Sequence, residues 1–391
     1  MPTRDTREHE EEAAKSLRSF ASLRMTKFFF FAALALLVSF LTGREFLSMR
    51  ADDVILPGPG LTAARALSDY FPALKNTPGD TPVYVFAGDR EGGHMLITGG
   101  AHPNEPAGYV TSVVLAENIR VARGKVVIIP RANASGFTHS DPQEGSPQRF
   151  PIATARGERW FRLGSRVTNP VHQWPDPTIY VNPKGQTLAG IEARNLNRAY
   201  PGKAGGNLTE KVAYGIMALI AAERIDIGVD LHESAPEYPV INAIVFHENS
   251  ADIAATAQME LQAEGLEFRL EASPPNLRGL SHREWGDAAG IRAVLLETPN
   301  ASHGRLKGKP TVSLILDGRD KYYEKAARLG RLFVPFGPAG IPLKDRVVRH
   351  LAGLKAILTA LGEVDPEKAM EVESLPPTAR VGTEGIGAFL R

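Results

Sequence analysis

The sequence predicts an α/β protein built on a mixed β-sheet flanked by helices and preceded by an N-terminal hydrophobic segment. Three observations carry this expectation. From Val83 to Glu264, short apolar runs alternate with segments of helical period, the pattern of helices packed on a largely parallel or mixed sheet. Three apolar runs end abruptly in clusters containing His or Glu, and open α/β sheets bind their ligands beyond the carboxyl ends of the strands. At 391 residues with 43% hydrophobic content, the chain is long enough to bury a full core in one large domain or two small ones.

Residues 1–27 are charged and rich in Glu, Arg and Ser, which predicts disorder or a start misassigned ahead of Met25. Residues 28–43 read as a signal peptide or signal anchor, because Lys27 precedes the apolar run Phe28–Leu41. Fourteen residues at about 1.5 Å each span ~21 Å, short of the roughly 30 Å of bilayer hydrocarbon. Export to the periplasmic or extracellular side is therefore expected, with membrane contact through residues 28–41. Residues 44–82 form a connector marked by Pro57, Gly58, Pro59, Gly60, Pro72 and Pro78, with one short helix at Leu61–Tyr70.

The catalytic domain is assigned to residues 83–362. Its expected strands are Val83–Phe86, Met95–Thr98, Val126–Ile129, Ile225–Leu231, Val240–Phe246 and Arg292–Leu296. Helices are expected at Ala107–Ile119, Leu208–Glu223 and Ala251–Glu264, the second opened by an Asn207/Glu210 capping box. Gly136–Gly190 is rich in Pro, Arg, Trp and Asn without a period, and is expected to lie over the site as a substrate-facing loop region. A basic loop follows Gly304, then helices at Asp320–Leu329 and Lys344–Leu361, the latter amphipathic. Residues 363–391 are expected to form a loosely structured tail.

Composition removes several classes of function. Lys and Arg number 45 against 44 Asp and Glu, a net charge of +1, so nothing favours nucleic acid. There is no cysteine, which excludes disulfides, thiolate ligands and a Cys nucleophile. Any metal must be held by His, Asp or Glu.

The stretch MLITGGAHPNEPAG places His102 and Glu105 three residues apart at the end of a strand, so both reach one ion from the same face of a turn. Catalytic zinc needs a third ligand, and His232 closes the buried run IDIGVDL. Glu297 ends RAVLLE and is placed to exchange protons with water and a leaving nitrogen, the alternative being an ion pair with Arg292 or Arg305. Glu233 competes for that role, but strand alternation turns it to the opposite face from His232. In RNLNRAYPG, Asn197 and Arg198 offer an amide and a guanidinium fork suited to a carboxylate.

In that order, GGAHPNEPAG, NLNRAYPG, VDLHE and LLETP resemble the zinc carboxypeptidase superfamily, and within it the succinylglutamate desuccinylase/aspartoacylase branch. SHREWGDAAGIRAVLLETPNASHG is similar to the carboxypeptidase segment carrying the catalytic glutamate, with Trp285, Gly290 and Glu297 in matching places. The resemblance spans Val83 to Gly304. It implies one Zn2+ per chain on His102, Glu105 and His232, Glu297 as general base, and Asn197 with Arg198 as carboxylate binders. It also implies an arginine electrophile, for which Arg194 is the candidate and Arg159 and Arg162 the alternatives. His282 stands where classical members hold a tyrosine over the substrate, and the helical pattern after Glu297 departs from the β-barrel that ends many members of the branch.

The expected function is hydrolysis of an amide bond next to a free carboxylate, by a carboxypeptidase or an N-acyl amino acid deacylase. A zinc esterase is a near neighbour. The alternative from another class is a non-catalytic envelope protein that binds peptides or cell-wall fragments through the same fold.

Overall fold

The computed structural model describes residues 4–140 and 145–391. Residues 1–3 of the expected leader and 141–144 of the expected loop region lie outside the described residues. The chain divides into two units, residues 1–52 and 53–391.

The first unit is one helix, α1 (Arg4–Arg50). Helix therefore replaces the disorder expected for residues 4–27. Glu, Ala, Lys, Arg and Leu dominate this flank, all strong helix formers, and Glu11 and Lys15 stand at the favourable i, i+4 spacing. The side chains of Phe28, Phe29, Phe30, Phe31, Leu36 and Phe40 are exposed. By length and composition this helix is able to cross a membrane, a test that signal sequences also pass.

The second unit is an α/β layer structure, as the alternation of apolar runs predicts. Its strands are β1 (Ala63–Ala66), β2 (Pro82–Ala87), β3 (Arg90–Thr98), β4 (Arg120–Ile129), β5 (Arg149–Thr154), β6 (Gly157–Arg162), β7 (Ile179–Val181), β8 (Thr187–Ala189), β9 (Ile227–Ser234), β10 (Ala243–Phe246), β11 (Arg269–Ala272), β12 (Arg292–Pro299) and β13 (Glu371–Glu373). Its helices are α2 (Pro106–Asn118), α3 (Leu208–Ala222), α4 (Ala251–Ala263), α5 (Ser281–Ala289), α6 (Val312–Asp317), α7 (Lys321–Arg328), α8 (Leu343–Val364) and α9 (Thr378–Glu384). The main sheet runs β1-β2-β4-β3-β9-β12-β10-β11, with β13 added to β4. The central strands β4, β3, β9 and β12 are mutually parallel, and β2 and β10 join them antiparallel. The carboxyl ends of β3, β9 and β12 thus share one edge.

Alternation along each strand assigns the two faces. Met95 and Ile97 of β3, Val229 and Leu231 of β9 and Leu296 of β12 enter the cluster that packs against α2 and α8. Leu96 and Ala293 enter the opposite cluster with Trp285 of α5 and the apolar stripe of α3. Gly228 lies on that second face, where a Cβ would fall 2.6 Å from the Trp285 ring.

Two expectations for the second unit are corrected. The connector supplies the edge strand β1, whose register with β2 runs from Ala63 opposite Val85 to Ala66 opposite Pro82. The tail is docked, not loose: Val381, Ile386, Phe389 and Leu390 are buried in the α2/α8 core. The Phe389 carbonyl accepts from Asn118 Nδ2 at 2.7 Å, and the Arg391 amide donates to Glu117 Oε2 at 2.8 Å. Apolar burial of these scattered residues outweighs their lack of a clear period.

Candidate active site

His102 and Glu105 lie on the tight turn between β3 and α2. Gly99 and Gly100 make this turn: a Cβ on Gly99 would sit 2.6 Å from the Gly108 carbonyl oxygen, and Gly100 has a φ of +64°. Pro106 opens α2, where its missing N–H costs no hydrogen bond. Glu105 therefore occupies the N-cap, and its amide donates to the His102 carbonyl at 3.0 Å.

His102, Glu105 and His232 are buried and converge, each offering a ligand atom within 4.8 Å of the others. His102 Nδ1 is 2.8 Å from Glu105 Oε1, and His232 Nδ1 is 3.0 Å from Glu105 Oε2. The two Nδ1 atoms face each other at 3.1 Å. The opposite ring nitrogens show which tautomer is present. His102 Nε2 donates to Asn195 Oδ1 at 3.0 Å, an oxygen identified by Asn195 Nδ2 donating to Glu192 at 2.7 Å. His232 Nε2 donates to Asp230 Oδ2 at 2.8 Å. Arg166 Nη1, which can only donate, lies 3.2 Å from His102 Nδ1, so that nitrogen carries a lone pair.

Two imidazole nitrogens and a carboxylate thus point at one place, each His oriented from behind by an oxygen acceptor, the usual second layer of a metal site. The residues present fit zinc. The electrostatics express the same demand for positive charge. Burial opposes protonation of His232, but the carboxylates of Asp230 and Glu105 on either side outweigh it and hold its pKa well above the usual value. Burial also raises Glu105, and the two imidazoles bring its carboxyl well below the ordinary range. Burial, helped by Arg166, lowers His102 to about 3.

Glu297 is in register with His232 on the parallel neighbour β12, which puts both on one face. Among the described residues, its buried Oε2 has no hydrogen-bond partner. Burial pushes its carboxyl up to about 8, opposed by His232 and reinforced by Glu105. Arg292, the alternative partner, donates instead to Asp252 at 2.6 Å and to the Asn249 carbonyl at 2.7 Å. Glu233 lies on the far face, bound by Arg346 of α8 at 2.6 Å and by the Ala107 amide at 2.7 Å.

Asn197 and Arg198 sit on a short turn beside the site. Asn197 Oδ1 accepts from the Ser281 amide that opens α5, at 2.8 Å. Arg198 donates to the Asn197 carbonyl at 2.6 Å, and its guanidinium is 4.0 Å from Glu192. Burial lowers its pKa, and the electrostatic influence of Glu297 on it records their proximity.

Arg194 is placed elsewhere, a correction to the expected electrophile. Its fork is closed on Asp176 at 2.7 and 2.9 Å, and its remaining donor reaches the Thr168 carbonyl at 2.8 Å. Arg159 is paired with Glu117, and Arg162 stands near Asp53. The arginine beside the cluster is Arg166, 3.0 Å from Glu105 Oε1 with its side chain 34% exposed. It lies in the aperiodic loop region, where spacing carries no signal. Asp230 was legible in principle, since it shares a strand face with His232 two residues on. Asn195 and His303, the latter 3.9 Å from Glu105 Oε1, had no such marker.

A second grouping, His247, Glu248 and Asp287, is of another kind. His247 Nδ1 accepts from the Asn249 amide at 3.2 Å, so Nε2 holds the proton and donates to Asp287 at 2.9 Å. Arg278 and Arg283 already supply positive charge there.

No family model matches the chain, and no curated protein matches it. Solved structures do resemble it. A succinylglutamate desuccinylase/aspartoacylase from Rhodobacter sphaeroides is 16% identical over 73% of this chain and 58% of its own, with a TM-score of 0.39. Tripeptide-bound cell shape determinant Csd4 from Helicobacter pylori is 13% identical over 77% of this chain and 59% of its own, TM-score 0.43. A metallo-carboxypeptidase from Burkholderia cenocepacia is 12% identical over 76% of this chain and 68% of its own, TM-score 0.42. The chain spans less than two thirds of the first two. At these identities and scores, what the protein does is read from its own residues.

Proposed function

We propose that the protein is a zinc-dependent hydrolase of an amide bond adjacent to a free carboxylate, acting as a carboxypeptidase or an N-acyl amino acid deacylase. The observation that carries this reading is the convergence of His102 Nδ1, Glu105 and His232 Nδ1, with Glu297 in register beside them. His102, Glu105 and His232 would hold the ion, whose Lewis acidity polarises a carbonyl and acidifies water.

The chain's own groups account for the rest. Glu297 has an unpartnered oxygen facing the site, so it accepts the proton of the attacking water and returns it to the leaving nitrogen. Arg166 projects a guanidinium at the site's edge, where negative charge develops on the carbonyl oxygen. Arg198, steadied by the Asn197 carbonyl, binds the substrate carboxylate as a fork. The apolar helix α1 supports export or membrane anchoring of this activity.

The test is to screen purified protein, zinc-loaded and chelator-stripped, against N-acyl amino acids and short peptides. Carboxylate-dependent amide hydrolysis that disappears on stripping and returns with zinc is expected. A zinc-loaded protein that binds these compounds without turning any over would replace this reading with the binding-only one.

A further inference from the structure

The helix that begins at the metal cluster does not cap itself. A helix leaves its first amides without intrahelical partners, and the N-cap residue commonly accepts one of them with its own side chain. Glu105 holds the N-cap of α2 but makes no such bond, because its carboxylate is turned to His102 and His232. Pro106 has no N–H to offer, so the first amide of the helix belongs to Ala107.

That amide is met from the sheet. It donates at 2.7 Å to Oε2 of Glu233, the residue after His232 on β9. Asn300 Nδ2 donates to the same oxygen at 3.3 Å, and Arg346 Nη1 of α8 donates to Oε1 at 2.6 Å. The Glu233 and Arg346 side chains are wholly buried, so the carboxylate is fixed in direction. Its negative charge at this point also suits the helix dipole. The backbone of Glu233 serves the opposite face, where its amide donates to Glu105 Oε2 at 3.1 Å. α2 and β9 approach closely here, since a Cβ on Gly108 would fall 2.4 Å from the Leu231 carbonyl oxygen. One residue thus ties together His232, through the peptide bond, the Glu105 carboxylate and the first turn of the helix that Glu105 opens.

We propose that Glu233 is a positioning residue for the metal cluster: it caps α2 in place of Glu105, which frees the Glu105 carboxylate to act as a ligand and fixes its distance from His232. The proposal rests on the metal reading of the cluster and on no particular substrate. Without the cap, the first turn of α2 shifts and carries Glu105 with it. Groups that hold metal ligands from behind typically govern affinity by about 10- to 100-fold.

Three variants of the full chain separate the cap from the ion pair. Glu233→Gln keeps the shape but leaves one oxygen for two donors, and the charged Arg346 takes it, so the Ala107 amide faces an NH2 group. Adding Arg346→Met removes the competitor and returns the glutamine oxygen to Ala107. In Glu233→Met/Arg346→Met nothing at either position accepts the amide. Zinc dissociation constants are measured by competition with a chelator, and urea unfolding is followed on the same preparations. Glu233→Gln and Glu233→Met/Arg346→Met should bind zinc about tenfold or more weakly than wild type. Glu233→Gln/Arg346→Met should recover most of the affinity, an outcome that loss of a second buried residue does not produce where the pair serves stability alone. Zinc affinities that are equal across these proteins, or that fall in step with the unfolding midpoints, overturn the proposal. If a double variant does not fold, unchanged affinity in the nearly isosteric Glu233→Gln overturns it by itself. Wild type that takes up no zinc removes the metal reading and this proposal with it, a failure distinct from zinc binding that is indifferent to Glu233.

Discussion

Glu297 of β12 stands directly opposite His232 of the parallel strand β9, so the carboxylate and the imidazole leave the sheet on the same face at its carboxyl edge. The next residue pair, Thr298 opposite Glu233, points to the other face and reaches α8, through His350 and Arg346 respectively. One step along two strands therefore separates the group assigned to proton transfer from a buried structural ion pair.

Glu297→Gln should keep the zinc, the fold and the substrate affinity, because the amide is nearly isosteric and three ligands remain. Turnover should fall by about 10²–10⁴-fold, the contribution of a positioned general base. Zinc content, melting temperature and rate measured on one preparation decide it. A near-normal rate would remove Glu297 from the chemistry, and loss of zinc would make it a ligand.

His102→Ala and His232→Ala should each lose the metal, since two donors hold zinc far less tightly than three. Metal analysis after dialysis is the measurement. Full occupancy in either variant would refute the assignment.

Arg198→Gln should weaken carboxylate substrates by about 1.5–3 kcal/mol, roughly 10- to 100-fold in KM, as for other charge-assisted hydrogen bonds. An amidated analogue, lacking the charge, should be little affected. The comparison is made by steady-state kinetics on the pair, and an equal loss on both would show that Arg198 shapes the site and does not read the carboxylate.

Arg346→Met should cost about 3–5 kcal/mol, because it leaves the Glu233 carboxylate buried without its cation. Adding Glu233→Met should restore part of the loss, since an apolar pair has no charge to desolvate. Urea unfolding of the single and double variants checks this; a loss below about 1 kcal/mol in the single variant would contradict the burial argument.

Asp287 supplies a pH signature distant from the metal cluster. Burial raises its pKa, but hydrogen bonds from His247, Arg283 and Arg278 outweigh that and hold the carboxyl well below its ordinary value. A depressed carboxylate pKa contributes stability above the unfolded value, about 3.9, that is lost as pH falls towards the folded one. Asp287→Asn should therefore be less stable than wild type near neutrality by about 1–3 kcal/mol. The gap should narrow below about pH 4. Melting temperatures across that range test it, and a gap that widens with acid would reverse the sign.

The strand ends were legible because burial writes itself as an apolar run, and a polar residue closing such a run stands out. That is why His102, Glu105, His232 and Glu297 were found from sequence and are brought together in the structure. Period two alone turned Glu233 away from the site, and it does face Arg346. The α/β class and the central strands followed from the same periodicity. Arg166, Asn195 and the docking of Ile386, Phe389 and Leu390 were decided only by tertiary structure. Arg194 shows why: its motif suggests a role at the site, but Asp176, eighteen positions away, closes on both arms of its fork. Which carboxylate an arginine meets depends on how irregular loops cross in space. Loop paths are set by scattered contacts and carry no period, so a sequence read for periodicity finds the strands that build the site but not the loop residues that complete it.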